Sequence, residues 1–271
     1  MLRLFLLILA VCVPLTALAD VQPGARRVLT IDEQRQWGGV GRLNHSSGGF
    51  CSGALIAPDT VLTAAHCVTN RATNAPVAAR DLRFVAGLRT GVYTAHRRAR
   101  GTNAHPDWSG FRGRGKVAVP GDIALVTLEA PISSVEARRF DIGPAPEEGD
   151  EVTLVSYGRG REGALSIQEP CHVVKRYAES LELNCNVING TSGAPVFKDG
   201  KVVAVISAGE LGALRDGSAE RSFAVIAESA LAAMRGPSRA ASRPTGLVTD
   251  RFRKAPSGGT RLPGASRAPK Q

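Results

Sequence analysis

Short segments rich in β-branched residues recur between residues 40 and 225, and turn residues separate them. The segment PVFKDGKVVAVISAG predicts a hairpin, because Asp199-Gly200 is a favoured two-residue turn between two such runs. A single helix is expected at residues 226–235, where helix-forming residues precede Gly236. Many short strands without intervening helical patterns are typical of an all-β barrel or sandwich. The other segments of this kind include FCSGALIA, TVLTAA, LRFVAGL, DIALVTL, EVTLVSYG and CHVVKRYA.

The beginning of the chain, MLRLFLLILAVCVPLTALAD, has the pattern of a secretory signal peptide. Arg3 provides the positive end, residues 4–13 the apolar stretch, and Ala17-Leu18-Ala19 the small-residue cleavage site. The apolar stretch is well short of the roughly 20 residues that a membrane helix needs. We therefore predict a signal peptide over residues 1–19, no membrane span, and a secreted or periplasmic protein after cleavage near Ala19.

Four cysteines remain once Cys12 has left with the signal peptide. In an exported protein they suggest two disulfides, with three possible connectivities. We favour the local pairs Cys51–Cys67 and Cys171–Cys185. Each pair would close a loop of about 15 residues and contribute about 3 kcal/mol by the loop-entropy estimate. A zinc site is the alternative, but the sequence has neither a CxxC pair nor an HExxH motif, so no metal is expected.

The formal net charge of +10 is distributed unevenly. Residues 236–271 contain eight Arg or Lys and a single acid, Asp250, with few apolar residues, which predicts a disordered basic tail. A second basic segment, residues 97–116, suggests either a nucleic-acid site or a long solvated loop. We favour the loop and expect no specific nucleic-acid partner, because aromatic stacking residues are few. Its basic residues are Arg97, Arg98, Arg100, Arg112, Arg114 and Lys116.

Three segments far apart in the chain contain residues suited to nucleophilic catalysis. In NGTSGAPVF, Ser192 lies between two glycines, which by itself is the usual composition of a turn. His66, in ALIAPDTVLTAAHCV, follows a strand and two alanines, and a disulfide at Cys67 would give it the rigidity that a general base requires. Asp122 begins an apolar run, where a carboxylate is costly unless it is paired. A structural histidine and a turn-capping aspartate are the alternatives.

These segments together resemble the trypsin/chymotrypsin-like serine proteases. TAAHC around His66, DIAL at Asp122 and GTSGAPV around Ser192 are similar to the three signature segments of that family, in the same order. The resemblance implies a catalytic triad of these three residues. The order also excludes an α/β-hydrolase esterase, whose histidine comes last, because no histidine follows Ser192.

The resemblance covers roughly residues 28–235 and implies a fold of two six-stranded antiparallel β-barrels with the active site between them. The barrels are expected at roughly 28–130 and 131–235. Arg26-Arg27 precedes Val28 at about the family's usual distance before the catalytic histidine, so residues 20–27 are predicted to be a short pro-segment that is removed after Arg27.

Further site residues follow from the same resemblance. The N–H groups of Gly190 and Ser192 would form the oxyanion hole. Ser207 matches the serine that supports the triad aspartate, and the stretch from Ser207 to Gly209 matches the strand that pairs with the substrate backbone. Asn186 stands where members that cleave after Arg or Lys have an aspartate, and it is the expected specificity residue.

Two departures from the family pattern stand out. Thr191 replaces the aspartate that accepts the new N-terminal ammonium in the digestive enzymes, which predicts a secreted bacterial-type member similar to the glutamyl endopeptidases. Those enzymes have a histidine just before the serine of the substrate strand, where this chain has Ile206. Neither a basic nor an acidic preference is supported, so we expect a small or apolar one.

The function implied by the resemblance is that of a secreted serine endopeptidase acting through an acyl-enzyme intermediate. We expect a monomer that needs no cofactor and acts on peptide or protein substrates. A catalytically silent binding or adhesion protein on the same fold is the alternative, and an esterase using the same triad is a third. The presence of all three triad residues favours the enzyme.

Overall fold

The computed structural model describes residues 24–111, 119–209 and 221–235. Several predictions concern residues outside these ranges: the signal peptide, the first residues of the pro-segment, the end of the second basic segment with Arg112, Arg114 and Lys116, and the basic tail. Within the described ranges, none of the helices has the length and apolar character needed to cross a membrane.

The first barrel consists of six antiparallel strands that close into a ring. Residues such as Leu43, Leu62 and Phe84 pack in its core and are fully buried. In chain order the strands are β2 (Val40–His45), β3 (Phe50–Ala57), β4 (Thr60–Thr63), β5 (Leu82–Ala86), β6 (Ala95–Ala104) and β7 (Ala124–Leu128). Around the ring their order is β2, β3, β4, β7, β6 and β5.

The second barrel also has six antiparallel strands, and it closes through pairing of its first two strands. A two-residue strand, β1 (Arg27–Val28), adds to the edge of this sheet by pairing with β9 (Ser166–Arg176). The two barrels confirm the predicted all-β fold. The strands of the second barrel are β8 (Glu151–Ser156), β9 (Ser166–Arg176), β10 (Ser180–Leu183), β11 (Pro195–Lys198), β12 (Lys201–Gly209) and β13 (Ser222–Ile226).

The β11–β12 hairpin forms where the sequence predicts it. Asp199 and Gly200 both have positive φ, at 51° and 72°, as a type I′ turn requires. The expected helix is α2 (Ala227–Arg235), and it directly follows β13. One further helix, α1 (Ile31–Gln36), was missed by the patterns above, although Thr30 and Glu33 form a capping box that its sequence spacing indicates.

The interpretation of residues 97–116 as one long solvated loop is wrong for its first part. Residues 97–104 belong to strand β6, which pairs with β5 and β7 in the first barrel. The small side chains of Ala95 and Ala99 are buried, while Arg98 and Arg100 are exposed. The two buried residues are alanines four positions apart, so the segment has neither a regular apolar alternation nor the β-branched composition typical of strands.

Each barrel contains one disulfide bond. Cys51 in β3 is bonded to Cys67, and Cys171 in β9 is bonded to Cys185. These are the local pairs favoured above. All four cysteines are buried, and the first bond lies directly beside a candidate catalytic residue.

Candidate active site

His66 lies in a single 3₁₀ turn, Ala65–Val68, that follows strand β4. Ala64 and Ala65 are fully buried, and their small side chains allow the turn to pack closely against the barrel. The disulfide at Cys67 ties the turn to β3. The His66 side chain itself is 14% exposed, so its ring reaches the surface from a fixed backbone.

Asp122 is completely buried just before β7, and three donors surround its carboxylate. The His66 backbone N–H donates to Oδ1 at 2.8 Å, and His66 Nδ1 lies 2.7 Å from Oδ2. The Ser207 hydroxyl donates to Oδ2 at 2.5 Å. Because a carboxylate oxygen accepts hydrogen bonds, the contact assigns a proton to His66 Nδ1, and in the neutral ring Nε2 is then the acceptor. The network provides the pairing that a buried carboxylate needs.

The loop that contains Ser192 begins with a tight turn. The Thr191 N–H donates to Ile188 O at 3.0 Å, and Gly190, at the third position of the turn, has a φ of 95°. A left-handed backbone at this position favours glycine. Close packing requires glycine as well, because a Cβ on Gly190 would collide with the Phe50 ring.

A second turn follows at once and has Ser192 at its second position. The Ala194 N–H donates to Thr191 O at 2.9 Å, and Gly193 has a φ of 76°. A Cβ on Gly193 would collide with Thr63, next to the turn that contains His66. Both glycines of the sequence motif are therefore required by the backbone and by the first barrel that packs against it.

Two backbone N–H groups of this loop, those of Gly190 and Ser192, have no acceptor among the described residues. By contrast, the Gly190 carbonyl accepts a hydrogen bond from Ser52 Oγ at 2.9 Å. The same Ser52 hydroxyl accepts from the Tyr157 N–H at 3.0 Å. Ser52 thus fixes the loop from the first barrel, a role that no sequence pattern indicated.

Backbone contacts hold Ser192 on the strand that is bonded to the His66 turn. The Ser52 N–H donates to Ser192 O at 2.8 Å, and the neighbouring Cys51 forms the disulfide with Cys67. Among the residues that the structure describes, no hydrogen bond joins the Ser192 hydroxyl to the His66 ring. Catalytic contacts of this kind are often long in unliganded enzymes. The loop that contains Ser192 therefore packs against the strand and the turn that position the histidine–aspartate pair.

Known proteins share both the sequence pattern and the architecture. The family model of the trypsin-like peptidase domain matches residues 51–205, more than half of the chain. The chain belongs to the trypsin-like peptidase family. A trypsin from Saccharopolyspora erythraea is 28% identical to this trypsin-like serine protease over 189 residues, which are 59% of this chain and 76% of that protein.

Two solved structures have the same fold. A Glu endopeptidase, in complex with MPD, has a TM-score of 0.63 at 18% identity, covering 78% of this chain and 94% of that one. The scabies mite inactivated protease paralogue S-D1 has a TM-score of 0.58 at 15% identity, covering 74% of this chain and 90% of that one. At these identities the likeness establishes the fold alone.

The residues expected to bind substrate are distributed over two elements of this trypsin-like peptidase. Ser207 and Gly209 lie at the end of β12, and β11 pairs with β12 only as far as Val205. Asn186 lies elsewhere, and its backbone N–H and carbonyl are both bound by the buried Gln168 amide, at 2.9 and 2.7 Å. Its carbonyl also accepts from the Arg26 guanidinium. Asn186 therefore has a fixed backbone, but it makes no hydrogen bond to β12 within the described residues.

The two departures from the family pattern have structural explanations in this peptidase. Thr191 is fully buried, and its hydroxyl accepts from the Ile188 N–H at 3.4 Å, so it closes its own turn. Ile206 is buried in the core of the second barrel, while its carbonyl accepts from Gly193 N–H at 2.8 Å. Neither side chain provides a charge near the loop that contains Ser192.

Phe111 is a neighbour of His66 that the sequence patterns did not single out. The two ring centroids are 6.2 Å apart in an edge-on arrangement. Asn74 holds the Phe111 backbone by two hydrogen bonds, accepting from its N–H at 2.8 Å and donating to its carbonyl at 3.1 Å. An aromatic side chain whose backbone is held by Asn74 therefore lies beside the His66 ring.

One group of potential metal ligands occurs among the described residues: Cys51, His66 and Cys67. The two cysteine sulfurs are joined in a disulfide, so they are not available as thiolates. The donor set therefore does not fit a zinc site.

Proposed function

We propose that this protein is an exported serine endopeptidase with His66, Asp122 and Ser192 as its catalytic triad. The observation that carries the proposal is the hydrogen-bonded network on Asp122, which binds His66 Nδ1 and leaves Nε2 of the neutral ring to take the proton of Ser192. A buried aspartate that orients a histidine in this way is the arrangement that activates a serine nucleophile.

The reaction follows from these groups. Ser192 Oγ bonds to the substrate carbonyl carbon while its proton passes to His66 Nε2, and the carbonyl electron pair moves to oxygen. Collapse of this intermediate breaks the C–N bond, and the leaving amine takes the proton from Nε2. The acyl group remains as an ester on Ser192 until water, deprotonated by His66, releases the acid and restores the hydroxyl.

The unpaired N–H groups of Gly190 and Ser192 would stabilise the negative oxygen of the intermediate. The edge of β12 from Ser207 to Gly209 would pair with the substrate backbone, since β11 does not extend that far. Asn186 has a neutral side chain and Ile206 is in the core. We therefore propose a small or apolar residue on the acyl side of the scissile bond.

We further propose that a signal peptide over residues 1–19 directs export and that the mature enzyme begins at Val28. Leu29 is buried, and its N–H donates to Leu165 O at 2.9 Å, so the new N-terminus would stay attached to the second barrel. Thr191 cannot form an ion pair with that terminus, which leaves this attachment as its anchor. N-terminal sequencing of the active protein should give Val28, and a start at Asp20 would contradict the pro-segment.

Labelling with a fluorophosphonate reagent tests the proposed nucleophile. The wild type should be labelled at Ser192 and should cleave members of a diverse peptide library. Ser192→Ala should do neither, while Ser46→Ala, at an exposed serine, should match the wild type. A wild type that neither labels nor cleaves would support the silent binding protein, and labelling with ester hydrolysis alone would support the esterase.

A further inference from the structure

A groove of about 590 Å³ lies on the first barrel, outside the set of residues that form the candidate active site. Its walls come from helix α1, from the loop between β5 and β6 (residues 87–94), and from the segment 134–138. No residue of the proposed triad or oxyanion hole lines it. We call it the α1 groove.

Four exposed apolar side chains line the α1 groove. Val135 is 95% exposed and Val92 is 73% exposed, and Ile31 and Tyr93 are each more than half exposed. These four are the majority of the large hydrophobic residues that are exposed in the described part of the chain. Single exposed apolar residues are ordinary, but a contiguous group around a concavity is typical of a binding surface.

The charge of the α1 groove is positive. Arg89 uses its guanidinium to bind Leu29 O at 2.7 Å and Gln34 Oε1 at 3.2 Å, which are neutral acceptors. Arg138 lies over the Phe140 ring. Within the described ranges, no carboxylate forms a salt bridge with either arginine. Glu136 offers no compensation, because it is bound to Arg97 at 2.7 Å and to Ser133.

The loop of residues 87–94 connects the α1 groove with the nucleophile region. The Thr90 N–H donates to Gly163 O at 2.7 Å, and the Tyr157 hydroxyl donates to Leu88 O at 2.9 Å. The loop that contains Gly163 is in turn tied to the turn before Ser192, since the Arg159 N–H donates to Asn189 O at 2.7 Å. A series of hydrogen bonds through residues 157–163 therefore links the wall of the groove to the turn that precedes Ser192.

From these features we propose that the α1 groove binds a segment of the protein substrate that is remote from the scissile bond. The segment would present apolar side chains to Val92, Tyr93 and Val135, and a carboxylate to Arg138. This inference deepens the proposed peptidase function and rests on it for the identity of the occupant. The binding itself is independent of catalysis, since none of the groove residues takes part in the reaction.

The test measures binding with Ser192→Ala protein, which cannot cleave the probe. The probe is a fluorescein-labelled peptide with Leu and Phe on either side of a central Asp, and a second peptide has Asn in place of that Asp. We expect saturable anisotropy with the Asp probe, and binding about tenfold weaker with the Asn probe, as for the loss of one well-formed charge contact. Adding Val135→Asp should abolish binding, whereas Val174→Asp, at an exposed valine of β9, should leave it unchanged.

Arg138→Gln sharpens the assignment. It should weaken binding of the Asp probe to the level of the Asn probe and should leave the Asn probe unaffected, as a double-mutant cycle requires for a direct contact. Absence of saturable binding, or equal binding to the Val135→Asp and Val174→Asp proteins, would overturn the proposal. A dimer in sedimentation velocity that Val135→Asp dissociates would also overturn it, in favour of a second copy of this chain. Because these measurements use an inactive protein, their failure is distinct from a failure of serine labelling in the wild type.

Discussion

The two barrels contribute to the candidate active site in different ways. The first barrel provides side chains: His66 and Asp122, joined by two hydrogen bonds. The second provides mainly backbone, because Ser192 lies in the second of two consecutive turns whose glycines adopt positive φ. A side-chain network depends on donors and acceptors, whereas a turn depends on conformations that few residues can adopt.

In each barrel, one buried serine hydroxyl also donates a hydrogen bond to the part of the site that the other barrel provides. Ser207 of β12 donates to Asp122, and Ser52 of β3 donates to the Gly190 carbonyl. The hydrogen bonds that position each half of the site therefore come in part from the other barrel. Substitutions that remove a charge, a backbone conformation or one of these hydroxyls should therefore separate the contributions of the two barrels.

The largest effect should come from Asp122→Asn in the first barrel. An amide at this position no longer favours the His66 tautomer with its proton on Nδ1, so turnover should fall by about ten-thousandfold. Steady-state kinetics on a peptide found in the library screen gives the measurement. Asp107→Asn is the matched control, because Asp107 lies 3.8 Å from His105 in a pair outside the site. A loss below about tenfold for Asp122→Asn would mean that another acid orients the histidine.

Gly190→Ala tests the backbone contribution of the second barrel. The added Cβ would meet the Phe50 ring in a conformation that alanine rarely adopts, so the Gly190 N–H should leave its position. Loss of one oxyanion donor lowers turnover by about a hundredfold to a thousandfold. Gly200→Ala is the control, since Gly200 also has positive φ but faces open space. Equal losses for the two variants would assign the effect to strain alone.

The sequence allows part of this comparison to be predicted. Asp199-Gly200 specifies a turn by local chemistry, and the three family motifs indicate the barrels and the candidate triad residues. Ser52 could not be found in this way, because its contact partners Gly190 and Tyr157 are more than a hundred residues away. Local patterns report the conformation of a segment, but they do not report which distant groups its side chains reach.

Helix α1 and strand β6 are two further elements that the sequence patterns did not predict. Helix α1 has a readable signal, the capping box of Thr30 and Glu33, but its six residues are too few for a helical period. Strand β6 has no regular apolar alternation, because its only two buried residues are Ala95 and Ala99, in a segment rich in arginine. Its conformation is decided by pairing with β5 and β7, which is a tertiary effect that overrides local propensity.

Ser207→Ala and Ser52→Ala each remove one of the two serine hydrogen bonds between the barrels. A hydrogen bond to a charged group is worth about 1.5–3 kcal/mol, so Ser207→Ala should lower turnover about tenfold or more through Asp122. Ser52→Ala removes the partner of the buried Tyr157 N–H and of the half-buried Gly190 carbonyl, so it should lower the free energy of unfolding by about 1–3 kcal/mol with a smaller effect on turnover. Kinetics and urea unfolding on both variants distinguish the two outcomes. The reverse ranking in either measurement would contradict the division of roles.

The smallest effects should come from a surface ion pair in each barrel. In the first, hydrogen bonds from the Ser133 N–H and the Arg97 side chain lower the pKa of Glu136 to about 2. In the second, hydrogen bonds from the Lys198 side chain and the Glu147 N–H lower the pKa of Asp150. A carboxyl whose pKa is lower in the folded protein stabilises it above the unfolded pKa and loses that contribution as the pH falls through the folded pKa. For Glu136 this window extends from about pH 4.5 down to about pH 2.

Urea midpoints of the wild type and Glu136→Gln should therefore differ at about pH 6 and converge near pH 2. Asp150→Asn should show a smaller difference with the same sign. A Glu136→Gln difference that stays constant over this range would show that the contacts of Glu136 do not depend on its charge.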